Sequence, residues 1–197
     1  MKDNRKIFIT GGMRSGKSRY ALTLSKRFLD RRIFLATAQP IDEEMKKRIE
    51  KHQKERGTNF MTVEEPIYLG KALKGLSNGV GGMVIIDCLT VWVNNLFYHM
   101  KEDEVKIKTE IDLFVDVLVK SSCNFIVISN ESGWGVIPPN KLSRQFIDVL
   151  GSLNQRLAAM SDGVVLMVSG IPQWLKGNGY EKLSGLRSAR AGRRIRV

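Results

Sequence analysis

The chain has 197 residues, 43% of them apolar and 26% charged, which suits one globular domain with a buried core and excludes a disordered or collagen-like chain. No apolar run approaches the roughly 18–20 residues of a membrane span, and the first residues carry no secretory core, so a soluble cytoplasmic protein with no membrane span is expected. The formal charge is +12, and half of it falls in residues 171–197, where Lys176, Lys182, Arg187, Arg190, Arg193, Arg194 and Arg196 stand against the single acid Glu181. The moderate excess on the rest suits a site that handles polyphosphates and argues for no nucleic-acid partner.

In chain order, continuous apolar runs at Ile7–Thr10, Ile33–Ala36, Val84–Asp87, Phe125–Ser129 and Val164–Val168 predict five strands. Continuous rather than alternating runs belong to strands covered on both faces. Between them Ser18–Leu29, Asp42–Arg56, Glu104–Lys120 and Leu142–Met160 carry helical signals. Strand–helix alternation predicts an α/β fold, a mostly parallel central sheet with helices on both faces. Gly79, Gly81 and Gly82 punctuate the entry to the central strand, and Pro138-Pro139 marks a loop. Cys88 and Cys123 form no metal-ligand spacing and are expected to be buried thiols. Residues 1–175 read as a single domain, and 176–197, rich in Gly, Ser and Arg, as a basic flexible tail.

Directly after the first strand, Gly11-Gly12-Met13-Arg14-Ser15-Gly16-Lys17-Ser18 fits GxxxxGK[ST] at every fixed position, which makes the fold P-loop NTPase-like. Glycines let successive N–H groups face phosphate oxygens, Lys17 neutralises the β/γ region, and the Ser18 hydroxyl suits Mg²⁺. Such a loop needs an acid at the end of another strand, and Asp87 supplies it. A strand-end aspartate also serves to cap the next helix at Leu89 or Thr90, and both roles remain open.

The segment Asp42–Arg56 is nearly all charged, with Met45 and Ile49 its main apolar contacts, so it predicts a surface helix burying a narrow stripe. Arg48, His52 and Arg56 recur at i+4 and point the same way. An imidazole between guanidiniums suits attack on a phosphate, although a histidine on a charged helix also reads as a solvated residue. His99 has less to recommend it.

Together these motifs resemble the bifunctional adenosylcobinamide kinase/adenosylcobinamide-phosphate guanylyltransferases of cobalamin biosynthesis. The likeness runs from Ile9–Arg19 through Ala36–Gln39, Asp42–Met45 with Arg48-Ile49 and His52, and Thr62–Pro66. It continues in Asp87–Thr90, Asn94–Leu96, Ser129–Pro138, Phe146, Asp148, Gly151, Asn154-Gln155 and Val168–Pro172. The resemblance implies phosphorylation of adenosylcobinamide with ATP or GTP, then transfer of GMP from GTP onto adenosylcobinamide phosphate. It implies that His52 carries the GMP, and that nucleotide contacts come from the loop Gly11–Ser18, Thr37, Ala38, Gln39, Lys54, Glu55, Arg56, Glu64 and Asp87. It further implies Mg²⁺ held through Ser18 and Asp87, and a homotrimer. Two departures stand out: Phe60-Met61 replace a common tryptophan, and the basic tail continues past Pro172. Trp92, Trp134 and Tyr98 are candidates for a corrinoid surface, with ordinary core packing as the alternative. A P-loop kinase of another small hydroxyl substrate, without covalent guanylylation, is the second reading. A nucleic-acid-binding ATPase using the tail is the third.

Overall fold

The computed structural model describes residues 5–28, 31–77 and 82–177. Seven strands form one sheet: β1 (Lys6–Gly11), β2 (Arg32–Ala36), β3 (Met61–Glu64), β4 (Met83–Asp87), β5 (Asn124–Ile128), β6 (Gly163–Val168) and β7 (Ile171–Lys176). They lie in the order β3-β2-β4-β5-β1-β6-β7. All neighbours run parallel except β6 and β7. The five predicted strands are the five central ones, and the two unpredicted ones are the edges. The reason is burial: β3 is mostly exposed, and β7 alternates exposed and half-buried positions around Pro172, so neither shows a continuous apolar run.

Among the described residues six α-helices cover the sheet: α1 (Lys17–Ser25), α2 (Glu43–Arg56), α3 (Leu69–Ser77), α4 (Leu89–His99), α5 (Glu104–Lys120) and α6 (Lys141–Met160). Side chains of alternate strand residues enter two cores. Ile7 and Ile9 pack with Ala21 and Leu24 of α1, whereas Phe8 packs with residues of α3, α4, α5 and α6. Both faces are therefore covered, though unevenly. The cysteines divide: Cys123 is buried, but Cys88 is only half-buried, because the chain leaves the sheet at Asp87.

Local chemistry explains the helix ends. Asp42 and Asn140, outside their helices, accept hydrogen bonds from the Met45 and Leu142 N–H groups at 2.6 and 2.8 Å, so α2 starts one residue later than predicted and α6 starts with Lys141. The α1 segment stops at Ser25 instead of reaching Leu29. There the Arg27 and Phe28 N–H groups bond to Leu24 and Ser25 in tighter turns, which brings Phe28 against the α1 core. Leu29, Gly79, Gly81 and the predicted tail from residue 178 onward lie outside the described residues. Lys176 belongs to β7, and its ammonium donates to the Ala158 and Ala159 carbonyls at the end of α6.

Helix α3 was not predicted, and α4 only as the next helix that Asp87 would cap, with no extent given to it. The first is short and contains Gly70, where a Cβ would meet Leu113 Cγ of α5 at 2.7 Å; the second is rich in Val, Trp and Phe, which favour strands. Trp92 of α4 is fully buried, its ring 4.8 Å from that of Phe114. Its indole N–H donates to the Ile67 carbonyl at 2.7 Å. Trp92 is thus a core residue, while Trp134 and Tyr98 are 74% and 90% exposed. No helix among the described residues is long and apolar enough to cross a membrane.

Trp92→Ala should lower stability by about 3–5 kcal/mol, since it empties a large buried volume and orphans a buried carbonyl. A shifted midpoint in urea unfolding with an unchanged slope checks this.

Candidate functional site

The parallel strands end side by side. Glu64 pairs with Ala36, Ala36 with Asp87, Asp87 with Ile128 and Ile128 with Ile9, so the carboxyl end of the sheet gathers the loops that follow, where α/β folds hold ligands. The glycine-rich loop leaves β1 with Gly11 at φ +139°, and a side chain there would run into the Met167 carbonyl of β6. The loop is braced from outside by the Gly170 N–H, which donates to the Ser15 carbonyl at 3.0 Å. Lys17 is buried in its centre and donates to the Gly11 and Gly12 carbonyls at 3.0 and 2.7 Å. Burial lowers the Lys17 pKa, opposed by Cys88, Asp87 and Glu131 and reinforced by Arg48.

Asp87 does not cap α4. The N-cap position is Cys88, which makes no side-chain cap bond, and the Ser18 hydroxyl lies close enough to the Asp87 carboxylate to lower its pKa. Burial raises the Asp87 pKa, while the Ser18 hydroxyl and the charges of His52, Lys17 and Arg48 draw it back down. The two residues singled out for a metal therefore stand together.

Helix α2 lies over the same strand ends. Met45, Arg48, Ile49, His52 and Arg56 line a cavity of about 70 Å³ with Phe34, Ala36, Ala38, Glu64, Asp87, Cys88 and Val91. The predicted i+4 row of Arg48, His52 and Arg56 thus faces one place, and Met45 and Ile49 form the narrow apolar stripe. Arg56 is buried, its guanidinium 4.0 Å over the Phe34 ring. Its Nε donates to the His52 carbonyl at 3.2 Å, and its Nη1 has no hydrogen-bond partner among the described residues. Burial lowers the Arg56 pKa, opposed by Asp87 and Glu64. Phe60, at the departure from the family's tryptophan, packs edge-on against Phe34 at 6.2 Å and so supports the ring that carries Arg56.

The remaining predicted residues divide. Thr37 is fully buried; its hydroxyl donates to the Cys88 carbonyl and accepts from the Cys88 N–H, both at 2.9 Å. It holds the corner that aims Asp87. Ala38 lines the cavity, whereas Gln39, Lys54 and Glu55 are exposed and outside its lining, as are Met13 and Arg14 of the loop. His99 bonds Tyr68 at 3.2 Å and does not enter the site. Arg48, Phe34 and Cys88 were absent from the predicted nucleotide contacts; of these only Arg48 had a signal, its i+4 relation to His52. A larger cavity of about 420 Å³ between α5 and α6, lined by residues such as Ile107, Lys108, Gln145 and Arg156, contains none of the predicted residues.

Comparison with known proteins gives the family. Residues 7–175 match the model of the family described as cobinamide kinase / cobinamide phosphate guanyltransferase. The chain is 37% identical over 169 residues to the bifunctional adenosylcobalamin biosynthesis protein CobP of Pseudomonas aeruginosa, covering 86% of this chain and 96% of that protein. It is 35% identical over 179 residues to the bifunctional adenosylcobalamin biosynthesis protein CobU of Escherichia coli, covering 84% and 96% respectively. Among solved structures, the ATP synthase subunit NeqB from Nanoarcheaum equitans superposes with a TM-score of 0.51 at 13% identity, covering 83% of this chain and 45% of that one. That likeness is one of fold alone.

Burial, and then the Asp87 charge, push the Cys88 thiol from an ordinary 9.0 up to about 11. At pH 8 Cys88 should therefore alkylate about 100-fold more slowly than an unshifted thiol, because the thiolate is the reactive form. A mass-mapped iodoacetamide time course checks this.

Proposed function

We propose, because this chain belongs to the cobinamide kinase / cobinamide phosphate guanyltransferase family, that it phosphorylates adenosylcobinamide with ATP or GTP and then transfers GMP from GTP to the phosphorylated product. The observation that carries this reading is the convergence of two kinds of machinery on one sheet edge. A P-loop with a buried lysine stands beside Asp87, and α2 turns His52 and Arg48 toward the same carboxylate. A plain kinase has no need of the imidazole there.

In the kinase step the aminopropanol hydroxyl attacks the γ-phosphorus, and the nucleoside diphosphate leaves. Lys17 and the loop N–H groups hold the phosphates, so positioning and electrostatics carry most of the step. In the second step an imidazole nitrogen of His52 attacks the α-phosphorus of GTP and pyrophosphate leaves. The phosphate of adenosylcobinamide phosphate then attacks the guanylyl phosphorus and frees the histidine. Dividing the exchange into two displacements lowers each barrier. Arg48 and Arg56 are suited to the phosphoryl oxygens, Arg56 through the Nη1 that no described residue bonds. Glu64, at the cavity rim, and the backbone near Ala38 complete the nucleotide contacts.

Ser18 and Asp87 offer a hydroxyl and a carboxylate, hard oxygen donors that suit Mg²⁺ bound along with nucleotide phosphates. When bound, the ion would supply charge neutralisation on those phosphates. The same reading makes the enzyme a cytoplasmic homotrimer without a nucleic-acid partner, with one catalytic domain that runs through Lys176 of β7 rather than ending at 175.

Incubation with Mg²⁺ and GTP labelled at either the α- or the γ-phosphate, followed by denaturation and mass mapping, tests the covalent route. An α-derived GMP adduct on His52, stable to alkali and labile to acid, is expected, and His52→Ala should abolish it. Lys17→Ala should slow both reactions by about 10²–10³-fold. A nucleotide-bound enzyme that forms no adduct would instead be a kinase alone.

A further inference from the structure

We propose that Glu131 is the carboxylate that takes the proton from the substrate hydroxyl in the kinase step. This role rests on the phosphoryl-transfer reading above and assigns a group that the P-loop, Asp87 and α2 leave unsupplied.

Strand β5 lies between β4, which ends on Asp87, and β1, which enters the phosphate loop. Beyond β5 the chain stays on β1: the Ser129 N–H donates to Ile9 at 3.0 Å and the Glu131 N–H to Gly11 at 3.2 Å. Glu131 is therefore pinned to the first glycine of the loop. Its side chain is held as well, since Oε1 accepts from the Thr10 hydroxyl at 2.6 Å and from the Asn154 amide at 3.4 Å. Thr10 and Asn154 are both buried, and Asn154 is itself steadied by the Asn130 carbonyl at 3.0 Å.

Both hydrogen bonds fall on one carboxylate oxygen. Among the described residues none reaches Oε2, which leaves that oxygen for a donor from outside. Lys17, the residue that faces the transferred phosphoryl group, interacts with the charges of both Asp87 and Glu131. Asp87 is assigned to the metal in the reading above, and Glu131 is not. A negative charge beside a polyphosphate site repels the nucleotide, so a neutral glutamine would serve better if hydrogen bonding to Thr10 were the only purpose. Glu131 is half-buried, and residues 132–137, next along the chain, are exposed.

In the step, the hydroxyl proton passes to Oε2 as the alcohol oxygen forms its bond to the γ-phosphorus. The bond from the γ-phosphorus to the β,γ-bridging oxygen breaks, and its electron pair leaves with the nucleoside diphosphate. Glu131 then returns the proton to solvent.

Glu131→Gln keeps an acceptor for Thr10 and removes the base. In the full-length enzyme its kcat for ATP-dependent phosphorylation of adenosylcobinamide should fall about 10²-fold or more, with the KM for ATP changed by less than about threefold. Formation of the GMP adduct from α-labelled GTP should continue, a split that a merely structural role would not produce. Thr10→Val, which frees the carboxylate from its anchor, should lower the same kcat by about 10-fold, and it provides the test should Glu131→Gln fold poorly. A folded Glu131→Gln enzyme that keeps kcat within about threefold of wild type, or loses adduct formation in parallel, overturns this role alone. Wild-type protein that phosphorylates no corrinoid alcohol overturns the proposed function and this role with it.

Discussion

The approach of Ser18 to Asp87 sets the start of α1 against the end of β4, and the site is arranged around the buried ammonium of Lys17 and the half-buried carboxylate of Asp87 that it brings near each other. Burial alone drives Lys17 and Asp87 toward their neutral forms, lowering one pKa and raising the other. Each opposes the other's shift, and Lys17 is further satisfied by two loop carbonyls. Buried charges persist only when paired or hydrogen-bonded. That requirement explains why Thr37 is committed to the Asp87–Cys88 corner rather than left free to meet a ligand: its hydroxyl makes two hydrogen bonds to Cys88, and any slackness there would pull the carboxylate from its partners.

Helix α2 obeys a different constraint. Of its fourteen residues only Arg56 is buried, so little apolar area fastens it to the sheet. What fastens it is chemical: Met45 and Ile49 on the cavity wall, and a guanidinium stacked on Phe34. Elements attached by so few buried contacts open at low free-energy cost. An element that carries a nucleophile between a nucleotide and a bulky acceptor is well served by that kind of attachment.

Much of this was legible in the residues. The five central strands appear as continuous apolar runs because both of their faces are covered, and the phosphate loop appears because its glycines, lysine and serine meet fixed backbone and charge requirements. Edge strands β3 and β7 escaped because exposure on one or both faces removes the apolar run. The i+4 row of Arg48, His52 and Arg56 was readable as a shared helix face. Its direction was not, since a nearly all-polar helix has too narrow a stripe to say what it faces.

Sequence alone determined the parallel α/β architecture and the P-loop, because both depend on local patterns: burial on two sides of a strand and backbone freedom within eight consecutive residues. It also marked His52 and Asp87 as chemically apt. Only the tertiary structure decided that α2 turns its imidazole toward Asp87, that Thr37 serves the corner, and that Glu131 stands against Gly11. Those relations depend on strand order, which places β5 between β4 and β1 and so brings together residues separated by forty to more than one hundred positions. Hydrogen bonds and desolvation act over a few ångströms of space, and the distance along the chain carries no record of them.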